Sequence, residues 1–395
     1  MFRLFEHVSR HGISSVMKRK KIAFIKKTLF SHINASVAQL LARHFPEYDV
    51  ETIDVSEPIL GNKRIIYRNY IDIVRQYPWD LLTRRRTMWE CFYRTDYVFK
   101  KVKEIVRERL GGKLDDYAFS FQTKSDFDCS VEGLPHFVYT DHTNRANLYY
   151  GGYADDKVFP KWYPMEKAIY DRADKVFTMS NHVRQSLIEH YHCSPEKACC
   201  VLAGYNVEVK TAALKNDNYG NKHILFVGIE WERKGGPLLV EAFKMVLKKH
   251  PDAFLTIVGC SPQIDVPNCK IVGRIPLEDV REHYLKASIF CLPTRLEPFG
   301  IVFIESMLYK LPVVAPRIGA LPDFIEDGKS GRLTRPNDVN ELAAVLTELL
   351  DSPEKCRSLG ESGYNSVKDR YSWDAVGVRL QTHIREVLEQ KKRSH

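Results

Sequence analysis

The sequence predicts an α/β protein of two doubly wound domains, and three observations carry that reading. Apolar runs of strand length alternate with helix-length stretches along most of the chain, as in parallel strands joined by helices. One complete strand, loop, helix, strand unit is visible late in the chain. It consists of Ser288-Ile289-Phe290-Cys291-Leu292, a loop opened by Pro293, an unbroken helical stretch from Ile301 to Lys310, and Val313-Val314-Ala315 after the helix stop Leu311-Pro312. At 395 residues the chain is too long for one ordinary domain and suits two of about 200 residues each.

From the N-terminus, Phe2, Leu4, Phe5 and Val8 stand among Arg3, Arg10 and Lys18 to Lys21. Residues 1–20 are therefore either a short interfacial element or a plain extension. Lys21-Ile22-Ala23-Phe24-Ile25 reads as the first strand, Asn34 to His44 as a helix, and Tyr48 to Val55 as a second strand. A basic helical segment follows. Tyr117 to Phe121 and His136 to Thr140 read as buried strands, and a helix from Trp162 leads to the strand Lys175 to Met179. Ser180-Asn181 caps a helix reaching Tyr191. Glu208 to Lys222 is polar enough to be a linker. Beyond it come the strand His223 to Gly228, a helix from Pro237 to Lys249, and the strand ends Phe254 to Gly259 and Lys270 to Arg274. Leu277 to Lys286 is a helix, Asn337-Asp338 caps another to Asp351, and Trp373 to Lys391 is a final amphipathic helix.

The chemistry concentrates in the loop and helix after Pro293. Ligands of such units sit beyond the carboxyl ends of the strands, which places Glu297 and Glu305 at one crevice. The helix carrying Glu305 is apolar nearly all round, so a buried Glu305 needs a donor: an internal partner or a ligand. Pro298-Phe299-Gly300 presents backbone N–H groups at the helix start, which suits an anion. An anion beside two carboxylate acceptors fits a nucleotide sugar.

The run Glu297-Pro298-Phe299-Gly300-Ile301-Val302-Phe303-Ile304-Glu305 resembles the Glu-x7-Glu motif of retaining glycosyltransferases of the GT-B fold, family 4 in particular. The resemblance continues through Leu311-Pro312-Val313-Val314-Ala315, Gly319-Ala320-Leu321-Pro322-Asp323 and Gly328-Lys329-Ser330-Gly331, and covers roughly Lys222 to Trp373. It implies two Rossmann-like domains facing across a cleft. Residues 1–212 would bind the acceptor and 213–372 the nucleotide-sugar donor, while 373–395 would form a helix returning to the first domain. It also implies roles. Glu297 would hold sugar hydroxyls, Glu305 the ribose, and Lys234 the donor diphosphate, with Gly300 and its neighbours Phe299 and Ile301 at the helix start. The base would lie near Gly273 and Arg274. Asp141-His142-Thr143 resembles the family's strand-end histidine, so His142 joins Glu297 and Lys234 as a catalytic candidate. Two departures stand out. Ile229 occupies the place of a diphosphate-binding arginine, which leaves that role vacant or passes it to Arg233, and Lys26 to Ile33 lacks the usual glycines.

The resemblance further implies transfer with retention and without a metal. No cofactor is expected beyond the nucleotide diphosphate sugar as co-substrate. Asp126-Phe127-Asp128 matches the Asp-x-Asp of metal-dependent transferases, but so short a pattern arises often by chance. His190, His192, Cys193, Cys199 and Cys200 lack the spacing of a zinc site. Nine cysteines, an odd number, suggest a reducing compartment, and no apolar run reaches membrane-span length. A cytoplasmic chain is expected, with a peripheral place on the inner face of the membrane left open. The net charge is +9, and residues 62–113 hold 14 basic against 6 acidic side chains interleaved with aromatics. Solvated amphipathic helices explain that segment, as does an anionic membrane surface; no nucleic-acid motif is present. The expected reaction moves a sugar to a glycan or lipid-linked acceptor in cell-surface polysaccharide or glycolipid assembly. A nucleotide-sugar epimerase, a sugar phosphorylase and a non-catalytic nucleotide-sugar-binding protein are the alternatives. Hydrolase elbows and phosphate loops are absent from the sequence.

Overall fold

A computed structural model describes residues 19–27, 33–207 and 217–393. Nearly all of the expected N-terminal extension, most of the Lys26 to Ile33 loop and much of the expected linker lie outside the described residues. The first unit holds six parallel strands: β1 (Lys21–Lys26), β2 (Asp49–Asp54), β3 (Tyr117–Thr123), β4 (His136–Thr140), β5 (Lys175–Thr178) and β6 (Ala198–Cys200). Their order is β2-β1-β3-β4-β5-β6. The second unit repeats the plan with β7 (His223–Val227), β8 (Phe254–Val258), β9 (Cys269–Gly273), β10 (Ile289–Cys291), β11 (Val313–Pro316) and β12 (Arg332–Thr334), in the order β12-β11-β10-β7-β8-β9.

The strands form where the sequence is continuously apolar because helices cover both faces of each sheet. Phe24, Phe121, Phe137 and Phe177 are all buried in the first sheet, and Phe177 stacks on both Phe121 and Phe137, at 6.2 and 5.9 Å. His136 is one of several polar side chains buried in this sheet, with Ser120, Gln122 and Thr178. It is fully buried, its Nδ1 lies 2.8 Å from Ser120 Oγ, and burial pushes its pKa down to about 4, so it sits in the core uncharged. Caps fix helix starts as the sequence indicates: Ser180 accepts from Val183 N at 3.2 Å and Asp338 from Glu341 N at 2.9 Å. The helix Pro353–Val367 and the three-residue strands β6 and β12 are additions to the sequence reading.

The last helix, Trp373–Arg393, leaves the second unit and packs on the first. Val376, Leu380, Ile384 and Val387 are buried along one face. Polar ties flank them: Arg379 Nε donates to Val201 O at 2.8 Å, Arg385 pairs with Glu47 at 2.9 Å, and Lys391 pairs with Asp174 at 2.8 Å.

These two orders locate a site before any side chain is considered. In an open parallel sheet, crossovers turn to opposite sides where the order reverses, and the loops there part to leave a crevice at the carboxyl ends. The switch points fall between β1 and β3 in the first sheet and between β7 and β10 in the second.

Candidate functional site

A cavity of about 500 Å³ lies between the two units, with walls from the carboxyl ends of both sheets. The second unit's wall comes from the two loops at its switch point. The loop after β7 folds on itself, with Lys234 N donating to Glu230 O at 2.8 Å and Gly236 N to Trp231 O at 3.0 Å. Gly235 has φ +74°, and a Cβ there would lie 1.8 Å from Pro293 O, so only glycine lets this loop touch the loop after β10. Arg233 fastens the contact: its Nη1 donates to Leu296 O at 2.8 Å and its Nε pairs with Glu230, while Arg295 N donates to Arg233 O at 2.8 Å. The result brings Lys234 Nζ within 2.5 Å of Glu297 Oε2 across 63 positions of sequence. Both side chains are nearly buried, so each depends on the other for its charge to be tolerated.

Beside this pair, Gly300 with φ +89° precedes the helix Ile301–Leu308, and Pro298, Phe299, Gly300 and Ile301 all line the cavity. A helix start, a lysine and a carboxylate acceptor therefore face one space. The Glu297 carbonyl is also tied to the opposite unit, accepting from Tyr150 Oη at 3.0 Å. Gly319, at φ +52°, gives this contact room, since a Cβ there would lie 2.3 Å from Glu297 O and 2.6 Å from Tyr150 Oη.

The first unit's wall is built from the segment after β4. His142 Nε2 lies 3.0 Å from Asn147 Oδ1, and its Nδ1 is buried with no partner among the described residues. Burial pushes its pKa down to about 4, so the imidazole is neutral near pH 7 and fit to exchange hydrogen bonds rather than charge. Asp141 is pushed up to about 6, chiefly by burial, with Glu297 among the like charges acting on it. Beneath them Glu166, 2% exposed, accepts from Asn144 N at 3.0 Å, Tyr170 Oη at 3.0 Å and Tyr191 Oη. This nest of donors anchors the segment carrying His142.

Of the residues singled out in the sequence, Glu297, Lys234, His142, Arg233, Phe299, Gly300 and Ile301 line the cavity together. Glu305 does not share that wall, contrary to the expectation of one crevice for both carboxylates. The helix begins at Ile301, so Glu305 falls in its second turn, is 3% exposed, and accepts from Asn206 N at 3.3 Å. Burial raises its pKa to about 7. Gly273 and Arg274 also lie off the cavity wall, at the end of β9 on the sheet edge. Ile229 is 60% exposed and Arg233 is engaged by Glu230 and Leu296, so neither presents a free guanidinium in the missing arginine's place.

Asp126 pairs with Lys27, and Asp128 with Lys103 and Arg172, so cations take both carboxylates of the Asp-x-Asp pattern. Arg85, Arg94, Asn147, Asp156 and Lys157 line the cavity without having been singled out. For Asn147 a signal existed: it lies five residues past His142 in the same strand-end loop. Arg94 had none, because it follows a one-turn helix far from any strand end.

Residues 210–366, which hold the whole second sheet, match the family Glycosyl transferases group 1. Over 244 residues the chain is 29% identical to a D-inositol 3-phosphate glycosyltransferase of Corynebacterium kroppenstedtii, 54% of each chain being covered. Over 235 residues it is 28% identical to an MMP alpha-(1->4)-mannosyltransferase of Mycolicibacterium hassiacum, covering 55% of this chain and 56% of that one. The chain thus spans about half the length of the curated relatives it matches. Among solved structures, a sucrose-phosphate synthase from Thermosynechococcus elongatus superposes with a TM-score of 0.65 at 18% identity, over 94% of this chain and 100% of the other. Anabaena HepE in complex with UDP-glucose superposes with a TM-score of 0.63 at 13% identity, over 93% and 99%. With two parallel six-stranded sheets facing one cleft, these likenesses establish the GT-B fold.

Proposed function

With the second unit matched to the group 1 glycosyl transferases, we propose that the chain moves a sugar from a nucleotide diphosphate sugar to a glycan or lipid-linked acceptor, in cell-surface polysaccharide or glycolipid assembly. The observation that carries the reading is the Lys234–Glu297 pair at the second sheet's switch point, beside the helix start at Gly300. Cleaving the donor leaves negative charge on the departing diphosphate. Lys234 and the N–H groups at the helix start are preorganised to stabilise it. Glu297, held by Lys234 on one oxygen, keeps acceptor capacity for sugar hydroxyls and so fixes donor orientation. Arg233 shapes the loop more than it neutralises charge, because its fork is spent on Leu296 O and Glu230.

Across the cleft His142 offers an uncharged imidazole to a sugar hydroxyl, and the wall around Asp141 receives the acceptor. Glu305, buried off the cavity wall with one backbone donor from Asn206, retains acceptor capacity, which we assign to ribose hydroxyls. Retention of configuration, no metal requirement and a cytoplasmic place complete the reading, supported by the motif around Glu297. Relatives that use GDP-mannose and structures solved with UDP-glucose leave the donor base to experiment.

A thermal-shift screen of nucleotide diphosphate sugars tests the reading. A donor at a hundred times its dissociation constant adds about 2.7 kcal/mol of stability. One sugar nucleotide should stabilise the chain and its transfer should be detected with lipid or glycan acceptors. No stabilisation by any of them would overturn the proposal. Stabilisation by a donor that is isomerised without an acceptor would select the epimerase instead. The exposed Ile229 in the arginine position favours one second reading, a protein that binds nucleotide sugar without transferring it. Binding without turnover across many acceptors would select that one.

A further inference from the structure

We propose that the outer face of the helices Lys63–Gln76, Pro78–Leu82 and Met88–Cys91 docks on an anionic lipid bilayer. This deepens the lipid-linked acceptor reading and rests on it for the reason a bilayer is approached. Large apolar side chains stand in solvent there: Trp79 is 75% exposed, Leu82 73%, Tyr67 70% and Trp89 64%. Such residues rarely cluster on a soluble surface without a partner. Tyr67, Tyr70 and Val74 recur at helical spacing on the first helix, and Tyr70 and Trp89 both pack on Phe92, at 6.2 and 5.5 Å, which joins the first and third helices into one face.

The charges on the face are one-sided. Arg64, Arg68, Arg75, Arg84 and Arg85 make no ion pair among the described residues, whereas the carboxylates are spent internally. Asp72 accepts from Gln76 at 2.8 Å, Asp80 pairs with Arg86 at 3.3 Å, and Glu90 closes a capping box with Thr87. Exposed tryptophan, tyrosine and aliphatic groups beneath a rim of arginines suit the headgroup boundary, where rings lie at the interface and guanidinium stems reach phosphates. A protein partner would favour an interface core depleted of charge, and nucleic acid would leave Leu82 and Val74 without use. The face ends at the cleft, because Arg85 and Glu90 also line the cavity. A headgroup-borne acceptor would meet the site at its mouth. No helix among the described residues is long and apolar enough to cross a membrane.

Sedimentation of the full chain with vesicles tests this. Wild type should bind vesicles that are roughly a third phosphatidylglycerol and not pure phosphatidylcholine, more weakly as salt rises. The triple variant Tyr67→Ser, Trp79→Ser, Leu82→Ser should lose roughly tenfold in partitioning. Arg64→Glu, Arg68→Glu, Arg75→Glu should lose at least roughly a hundredfold, at ~fivefold per arginine. Both variants should keep the wild-type unfolding temperature and its shift by UDP or GDP. Equal binding to neutral vesicles, variants that bind like wild type, or preference for a DNA duplex at equal phosphate would overturn the docking face. Absent vesicle binding with an intact nucleotide shift sinks this inference alone. Vesicle binding that follows the two variants as expected, with no nucleotide shift in any chain, leaves the docking face and sinks the transferase reading.

Discussion

The two walls of the cleft are built differently, and two buried carboxylates show how. Glu166 in the first unit and Glu305 in the second are both pushed up to about 7 by burial. Glu166 brings its own donors from Asn144, Tyr170 and Tyr191, so its lone pairs are used within the fold. Glu305 receives one N–H, from Asn206, among the described residues. Burial alone therefore does not distinguish the two carboxylates; the count of internal donors does, and it leaves Glu305 with acceptor capacity to spare. The same contrast holds for the walls. The second is made of short loops locked by Gly235 and the Lys234–Glu297 pair, and it is the half that matches a family. The first is made of the long segment after β4 and basic helices.

The largest effect should come from the second wall. Lys234→Ala should lower transfer by roughly 10²–10³-fold, the scale of one lost charge-stabilising group, measured as kcat/KM. Gly235→Ala should follow. Its Cβ would strike Pro293 O, so the chain should lose about 3 kcal/mol in urea unfolding, where an ordinary surface glycine would lose far less.

The carboxylate pair should then split in sign. Glu166→Gln replaces an acceptor facing several donors and should destabilise by about 2 kcal/mol. For Glu305 the folded chain keeps a proton that the unfolded chain releases from its usual 4.5, so stability should fall as pH rises from about 4.5 to about 7 and level off above. Glu305→Gln should remove that component, gain on wild type toward pH 8, and weaken nucleotide binding about tenfold, worth ~1.4 kcal/mol. A Glu305→Gln chain that loses stability at pH 8 and keeps its nucleotide affinity would erase the contrast. Smallest is His142→Ala, expected to slow transfer roughly tenfold while leaving nucleotide affinity alone. With its pKa at about 4, His142 should produce no inflection in the rate profile between pH 5 and 8.

Much of the second wall was legible because buried parallel strands are continuous apolar runs and the loops between them are short, so Glu297 and Gly300 could be placed from the strand, loop and helix pattern, and Lys234 from the family resemblance. The separation of Glu305 from Glu297 was not. It depends on Asn206, nearly a hundred positions away, reaching Glu305. The first wall was harder to read. Asn144–Tyr153 is an irregular run of tight turns with Gly151 at φ +60°, without helical or strand periodicity. Arg94 reaches the cavity only through the packing of neighbouring helices.

Nucleotide calorimetry on three proteins tests the central claim, that the donor diphosphate is held by the second wall at Lys234. Titrating UDP and GDP into wild type, Lys234→Ala and His142→Ala should show binding to wild type. Affinity should fall at least roughly tenfold in Lys234→Ala, as expected for a lost charge-assisted contact, and stay at the wild-type level in His142→Ala. Undiminished binding in Lys234→Ala, or an equal loss in His142→Ala, would contradict it.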